Sequence, residues 1–300
     1  MRLDLLMPAR GDAYAPVAAE AAEAYRPAFA ARGIELTALP WPEAPGDGDA
    51  ALALFAWGYH FAPARWRALL AAWPAARPLI NPPALLAWNA RKTYLLALEA
   101  AGVPIVPSHF GPATPEAIAA AFAAFDTPEL VVKPQVSAGS HETHRLEPGD
   151  SAPPIDDAIL QPFLPAIGTE GELSLLFIGG RFSHAVRKVA APGDFRIQPQ
   201  FGGRFSPLDP PPQARAIATA AFAALPAPPL YARVDLIRLA DGKLALMELE
   251  VTEPDLYLDH APHVADDLAA AILAHTGHTH RISGTPASTT SSDSGAPSLA

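Results

Sequence analysis

The residues best suited to chemistry lie between Tyr231 and Val251, where two apolar strands flank Asp241-Gly242. An Asp-Gly pair in that setting is a strong two-residue hairpin signal. With such a turn Ala240 opposes Lys243, Asp235 opposes Glu248 and Arg233 opposes Glu250. Side chains alternate along a strand, so Arg233, Asp235, Glu248 and Glu250 share one face, and Val234, Leu236, Met247 and Leu249 share the other, the core face. Opposed side chains sit about 4.5–5.5 Å apart at Cβ. Three carboxylates that close repel one another unless a cation neutralises them, and Arg233 offsets one charge only. Hard oxygen donors at this spacing suit Mg²⁺, which takes one or two carboxylates and completes its shell with phosphate oxygens and water. A solvent-facing hairpin that merely carries charge is the alternative. The flanks are too apolar for a wet edge, which favours a Mg-nucleotide site.

Only four of the 21 basic residues are lysine: Lys92, Lys133, Lys188 and Lys243. Where arginine has taken over generic positive charge, a retained lysine is worth inspecting as a point-charge site. Lys133 ends the apolar strand Leu130-Val-Val-Lys-Pro134, where burial needs an anionic partner. The small-residue loop after it holds Ser137, Gly139 and Ser140, and such loops let backbone N–H groups approach phosphate oxygens. A plain hairpin turn explains that loop equally well. Lys92 is placed in the first turns of a predicted helix over 84–101, where a solvated lysine is the competing reading. Arg187-Lys188 ends an alternating strand, and Gly193-Asp-Phe-Arg196 follows a Pro-Gly turn. Together these cations suit a triphosphate and a developing acyl phosphate. No Walker A loop is present, and Asp194-Phe-Arg196 is not the kinase Asp-Phe-Gly.

The elements that must position these groups are legible in outline. The first eighty residues read βαββαβ: Leu3–Met7, a helix over 14–31, Ile34–Leu39, Ala50–Ala56, a helix over 63–72 and Leu79–Ile80. That order predicts an open α/β layer. Pro8-Ala-Arg-Gly-Asp12 follows the first strand with one glycine where a dinucleotide fingerprint needs three, and its Arg-Gly-Asp is a chance match. Trp57, Tyr59 and His60 follow a strand end, where such layers usually meet a ligand. After Asn81-Pro-Pro come the helix over 84–101, a helix over 115–125 and the strand 129–134. Strands then dominate to Val251, broken by a helix over 213–225, and an amphipathic helix over 264–275 closes the fold. Residues 281–300 lack apolar periodicity and are expected to form a disordered tail. His141 and His144 border the small-residue loop as gating or substrate contacts, or as ordinary loop residues. His275, His278 and His280 read as the solvated end of the last helix rather than a metal site.

Composition removes whole classes. The chain of 300 residues has no cysteine and a formal net charge of −10. Disulfide scaffolds, thiolate metal sites and cysteine nucleophiles are excluded. An acidic chain lacks the basic stripe of a nucleic-acid binder, and no apolar run reaches the ~18 residues of a membrane span. A soluble cytoplasmic protein with no nucleic-acid or membrane partner is the expectation.

The order of parts resembles the ATP-grasp superfamily over about 81–260, and most of all its glutathione-synthetase-like branch. Gln161-Pro-Phe-Leu-Pro-Ala-Ile167, Gly193-Asp-Phe-Arg196 and Met247-Glu-Leu-Glu-Val-Thr-Glu-Pro254 mirror that branch's motifs. Asn81-Pro-Pro, Trp88-Asn89 and Glu248-Leu-Glu250-x-x-Glu-Pro are similar to small bacterial ligases within it, ring-closing ones among them. The resemblance implies an α/β fold with an α+β clamp: an N-terminal substrate lobe over 1–83 and a two-lobed ATP-grasp domain over 84–280. The small lobe would cover about 107–158 and the large lobe 159–280. It implies that Lys92, Lys133, Ser137, Gly139 and Ser140 meet ATP phosphates, and that Gln161, Phe163 and Leu164 flank adenine. Glu172 would meet ribose, with Glu170 a near competitor. Asp235, Glu248 and Glu250 would hold one or two Mg²⁺ ions, or Mn²⁺ in their place, with Glu250 standing where the branch usually has Asn. Arg187, Lys188 and Arg196 would stabilise the transferring phosphoryl group. The implied activity is ATP-dependent ligation of a small, amino-acid-like carboxylate to an amine through an acyl phosphate, releasing ADP and phosphate. A nucleotide-binding module without ligase activity and a phosphotransferase are the alternatives, and a homodimer is left open.

Overall fold

The computed structural model describes residues 1–198 and 201–278; the predicted tail and His280 lie outside them. Three sheets organise the chain. The first is fully parallel, in the order β2-β1-β3-β4, from β1 (Arg2–Met7), β2 (Glu35–Pro40), β3 (Ala50–Leu52) and β4 (Leu79–Ile80). Parallel neighbours need crossovers, which α1 (Ala15–Ala31) and α2 (Pro63–Ala71) supply. Helix α1 buries Ala18, Ala22, Tyr25 and Phe29, the one-face stripe of an amphipathic helix.

The expected helix over 84–101 is two helices, α3 (Pro83–Asn89) and α4 (Tyr94–Ala100). The break between them carries Lys92, whose backbone N–H donates to Gln135 O at 2.8 Å. The second sheet is antiparallel, in the order β5-β8-β6-β7: β5 (His109–Gly111), β6 (Leu130–Pro134), β7 (His144–Leu146) and β8 (Ala158–Pro162). Helix α5 (Pro115–Phe125) covers it, with the Thr114 hydroxyl capping its N-terminus. Because β8 pairs inside this sheet, the small lobe runs through Pro162 and does not end at 158.

The third sheet is antiparallel, in the order β11-β10-β9-β12-β13: β9 (Glu172–Ile178), β10 (Arg181–Val189), β11 (Arg204–Pro207), β12 (Tyr231–Arg238) and β13 (Leu244–Glu250). One face packs Leu173, Leu175, Phe177, Val234, Leu236 and Leu249 against α6 (Pro212–Ala223). The other face packs Leu176, Ile178, Val186 and Tyr231 in one core with β1, α1 and α7 (Val264–Thr276). The N-terminal layer therefore shares its core with the large sheet, and residue 83 marks no boundary of packing. Asn81 fastens the two together: its Nδ2 donates to Tyr231 O at 2.9 Å and Val251 O at 2.8 Å, and its Oδ1 accepts from Leu230 N. Among the described residues, no helix is long and apolar enough to cross a membrane.

Candidate active site

A cavity of about 890 Å³ opens where the three sheets meet. The β12–β13 hairpin forms its floor, and the predicted pairs Arg233–Glu250 and Asp235–Glu248 are present. They arise differently from the expectation. The loop has three residues, with Leu239 N donating to Lys243 O at 2.8 Å and Gly242 N to Leu239 O at 3.0 Å; Gly242 adopts φ +82°. That turn shifts the register so that Leu236 pairs with Leu246, and a one-residue bulge at Met247 restores the pairing of Asp235 with Glu248. Leu246 thus takes the core place predicted for Met247, and Met247 turns into the cavity beside Glu248.

Carboxylate oxygens of Asp235, Glu248 and Glu250 lie within 4.8 Å of one another. Cations surround them. Lys92 Nζ donates to Glu248 Oε1 at 2.6 Å and to Ser137 O at 3.0 Å, so it is a buried ion-pair partner and not a solvated helix lysine. Arg233 Nε donates to both oxygens of Asp235 at 3.0 and 3.1 Å, and its NH2 reaches Glu250 at 2.5 Å. Lys188 pairs with Glu172 and lies 3.2 Å from Asp235. The Ser174 hydroxyl, absent from the sequence-based set, donates to Asp235 at 2.5 Å. It stands two residues after Glu172 on an apolar strand, so alternation alone places it on the same face.

Burial and charge pull these groups in opposite directions. Burial pushes Asp235 up, but Arg233 and Lys188 hold it below the usual carboxylate range. Glu248 is likewise held low by Lys92 and Lys133 against its burial. Burial wins at Glu250, pushed to about 7 with help from Glu248 and Asp235 against Arg233, and at Glu172, also raised to about 7 against Lys188. Lys133 is half-buried in the cavity wall, and desolvation pulls it down to about 8 despite Glu248.

Two further side chains set the edge of β13. Asn89 Nδ2 donates to Leu249 O at 2.9 Å while its Oδ1 accepts from Val251 N at 3.1 Å, and the Tyr94 hydroxyl accepts from Leu249 N at 2.9 Å. They satisfy edge-strand backbone that would otherwise be orphaned in the core, and so fix Glu248 and Glu250 from behind. Polar residues in the apolar stretch Leu85–Leu98 were the available signal.

The remaining predicted residues divide. Ser137, Gly139, Ser140, Gln161, Phe163, Leu164 and Glu172 all line the cavity. The Ser140 hydroxyl accepts from Gln198 Nε2 at 2.8 Å, so the loop leans on the large lobe. Val131, Ile167, Ile237 and Met247 join Phe163 and Leu164 as an apolar slot. Arg187 must be corrected: on β10 it points opposite to Lys188, into a separate hollow with Glu170 and Arg238. Glu170 is removed with it, being bound to Arg238 at 2.6 Å. Arg196 does not line the cavity; Asp194 grips its guanidinium and Phe201 lies beneath it. Trp57 and His60 line the N-terminal wall, whereas Tyr59 is a core residue against Trp66. His141 packs against His60 and Phe61 at the cavity edge, and His144 is outside it.

No protein-family profile matches the chain. It is 32% identical over 216 residues to the cycloserine biosynthesis protein DcsG of Streptomyces lavendulae, covering 65% of this chain and 72% of that one. Its fold matches the crystal structure of D-cycloserine synthetase DcsG with a TM-score of 0.77 and 26% identity, over 92% of this chain and 100% of that one. It also matches the D-alanine–D-alanine ligase of Bacillus anthracis with a TM-score of 0.68 and 15% identity, over 92% and 97% of the two chains; at that identity the match speaks for the fold alone. With the order of motifs over 81–260 and the likeness to DcsG, the chain belongs to the ATP-grasp ligases, ATP-dependent enzymes that form C–N bonds.

Proposed function

We propose that this ligase activates a small, amino-acid-like carboxylate with Mg·ATP as an acyl phosphate and passes the acyl group to an amine. The observation that carries the reading is the cluster of Asp235, Glu248 and Glu250, with oxygens within 4.8 Å, in one cavity with Lys92, Lys133 and Lys188. Oxygens of an octahedral Mg²⁺ shell at 2.0–2.1 Å from the ion span similar separations, so the donor set fits one or two such ions held by these three residues. Bound there, Mg²⁺ supplies charge shielding for the transferring phosphoryl group.

The chain's own residues then divide the work. Phe163, Leu164, Val131, Ile237 and Met247 form the slot for adenine, with Gln161 at its edge. Glu172 is assigned to the ribose hydroxyls. Lys92 and Lys133, with the backbone of Ser137–Ser140, meet the phosphates, and Lys92 exchanges Glu248 for phosphate oxygen as nucleotide enters. A carboxylate oxygen of the acid attacks the γ-phosphorus and ADP leaves. The amine lone pair then attacks the acyl carbon, phosphate leaves with the C–O electron pair, and the ammonium proton is lost. Lys188 and Arg233 are the cations placed to stabilise charge in both steps; Arg187 and Arg196 receive no role.

The test is ADP release with Mg·ATP across amino and hydroxy acids, each with and without amine acceptors, and Glu248→Gln as control. Acid-dependent ADP release with an amide product, lost in the variant, is expected. A stable phosphorylated acid would instead show a phosphotransferase, and ATP binding without turnover a nucleotide-binding module.

A further inference from the structure

A short hydrogen-bond chain at the edge of the apolar slot leaves one amide oxygen uncommitted. Gln161 pairs with Val131 across the β6–β8 ladder, so the two side chains share one face of the small sheet. Both line the cavity, which makes that face the cavity side. Gln161 is only 2% exposed, so its amide has little water to turn to. On its other flank β5 pairs with β8 from His109 and Leu160 onward, which brings Ser108, the residue before β5, beside Gln161.

Ser108 Oγ lies 2.7 Å from Val106 O and 2.9 Å from Gln161 Nε2. A serine hydroxyl has one proton to give and lone pairs to accept with. A carbonyl oxygen can only accept, so the proton goes to Val106 O. Toward Gln161 there remains a lone pair, and only the NH2 end of the amide can meet it. The reversed amide would set two acceptors against each other. Val106 is itself fixed, with its side chain buried and its N–H donating to Leu246 O of β13 at 2.9 Å.

Gln161 Oε1 is therefore turned away from Ser108. Nothing among the described residues donates to it, and it is not sealed off as the orphaned amide oxygens of Gln135 and Gln198 are. Polar atoms this deep are nearly always satisfied, so an acceptor left open to a cavity points to a donor on the ligand. Adenine carries an amino donor at its 6-position, where a 6-oxo purine carries an acceptor.

We propose that Ser108 is a positioning residue for base selection: by holding the Gln161 amide with its oxygen toward the slot, it favours a 6-amino purine over a 6-oxo purine. A 6-oxo base would leave two oxygens facing each other without a donor, and a site built to accept a hydrogen bond rejects such an analogue. The inference rests on the reading that Val131, Phe163, Leu164, Ile237 and Met247 hold the base, and adds the residue that decides which base is held.

Binding of Mg·ATP, Mg·ITP and Mg·tripolyphosphate to the full chain is measured by calorimetry with no acid present. Inosine has the 6-oxo group without the 2-amino group of guanosine, so bulk at C2 plays no part. The parent binds Mg·ATP about tenfold or more tighter than Mg·ITP. In Ser108→Ala the amide is free to turn its NH2 toward the slot, and the ATP/ITP ratio falls about fivefold or more. Ser108→Thr keeps the hydroxyl and retains the parent's ratio. A damaged slot weakens both nucleotides alike, so only a reoriented amide moves the ratio. An unchanged ratio in S108A, or equal binding of ATP and ITP by the parent, overturns the proposal, and the second arm needs no variant to fold. Mg·ATP binding no tighter than Mg·tripolyphosphate sinks the slot reading instead, which separates the two.

Discussion

Lys92→Met tests the site most directly, because one ion pair ties the α3–α4 break to β13. Lys92 Nζ and Glu248 Oε1 are 2.6 Å apart, with the side chains 11% and 27% exposed. At an effective dielectric of about 20 their attraction is roughly 6 kcal/mol before desolvation is counted. Removing one member of such a pair strands the other, and typically costs about 3–5 kcal/mol. Lys133 also acts on Glu248, so the lower end is expected, about 3 kcal/mol. Urea unfolding without nucleotide and with chelator present measures it. The sign with pH follows. In the parent, Glu248 is held below its unfolded value, and its contribution is lost as pH falls through the folded pKa. In K92M burial prevails and Glu248 rises, so the variant is least penalised in acid. The gap between the two proteins then widens as pH climbs past the unfolded carboxylate value of about 4.3. The double variant K92M/E248Q has no stranded charge and regains about 2 kcal/mol or more over K92M. A loss under 1 kcal/mol, or a double variant no more stable than K92M, refutes the pairing.

Three further outcomes are expected. Lys133 neutralises as pH rises through about 8, so the Kd for Mg·ATP, read by calorimetry, weakens toward tenfold per pH unit above that value, while Lys133→Arg stays flat. Arg187→Ala leaves kcat/KM within about twofold, whereas Lys188→Ala lowers it by about a hundredfold or more; equal effects would contradict the opposite orientation of the two side chains on β10. Gly171 has φ +81°, and a Cβ there would fall 2.3 Å from Lys188 O. Gly171→Ala should therefore cost about 2–5 kcal/mol in thermal unfolding, and a neutral substitution would mean that the β9 entry is not held against Lys188.

The amino-acid sequence by itself determined the outline of the element order and the hairpin that carries Asp235, Glu248 and Glu250. Those features are local: alternation, turn residues and charge spacing act over a few residues and need no knowledge of the rest of the chain. The motif order further identified the ATP-grasp family. Tertiary structure decided what those signals could not. A three-residue turn followed by a bulge at Met247 restores the carboxylate pairing and sends Met247 into the cavity. A break after Asn89 turns Lys92 inward, because its backbone and ammonium find Gln135, Ser137 and Glu248. The adjacent cations Arg187 and Lys188 part company on opposite faces of one strand. Asn89, Tyr94 and Ser174 act only through partners 61 to 162 positions away, at a cavity that three sheets build together. Their chemistry is created by packing, where the alternative to a distant partner is an unsatisfied polar group out of water.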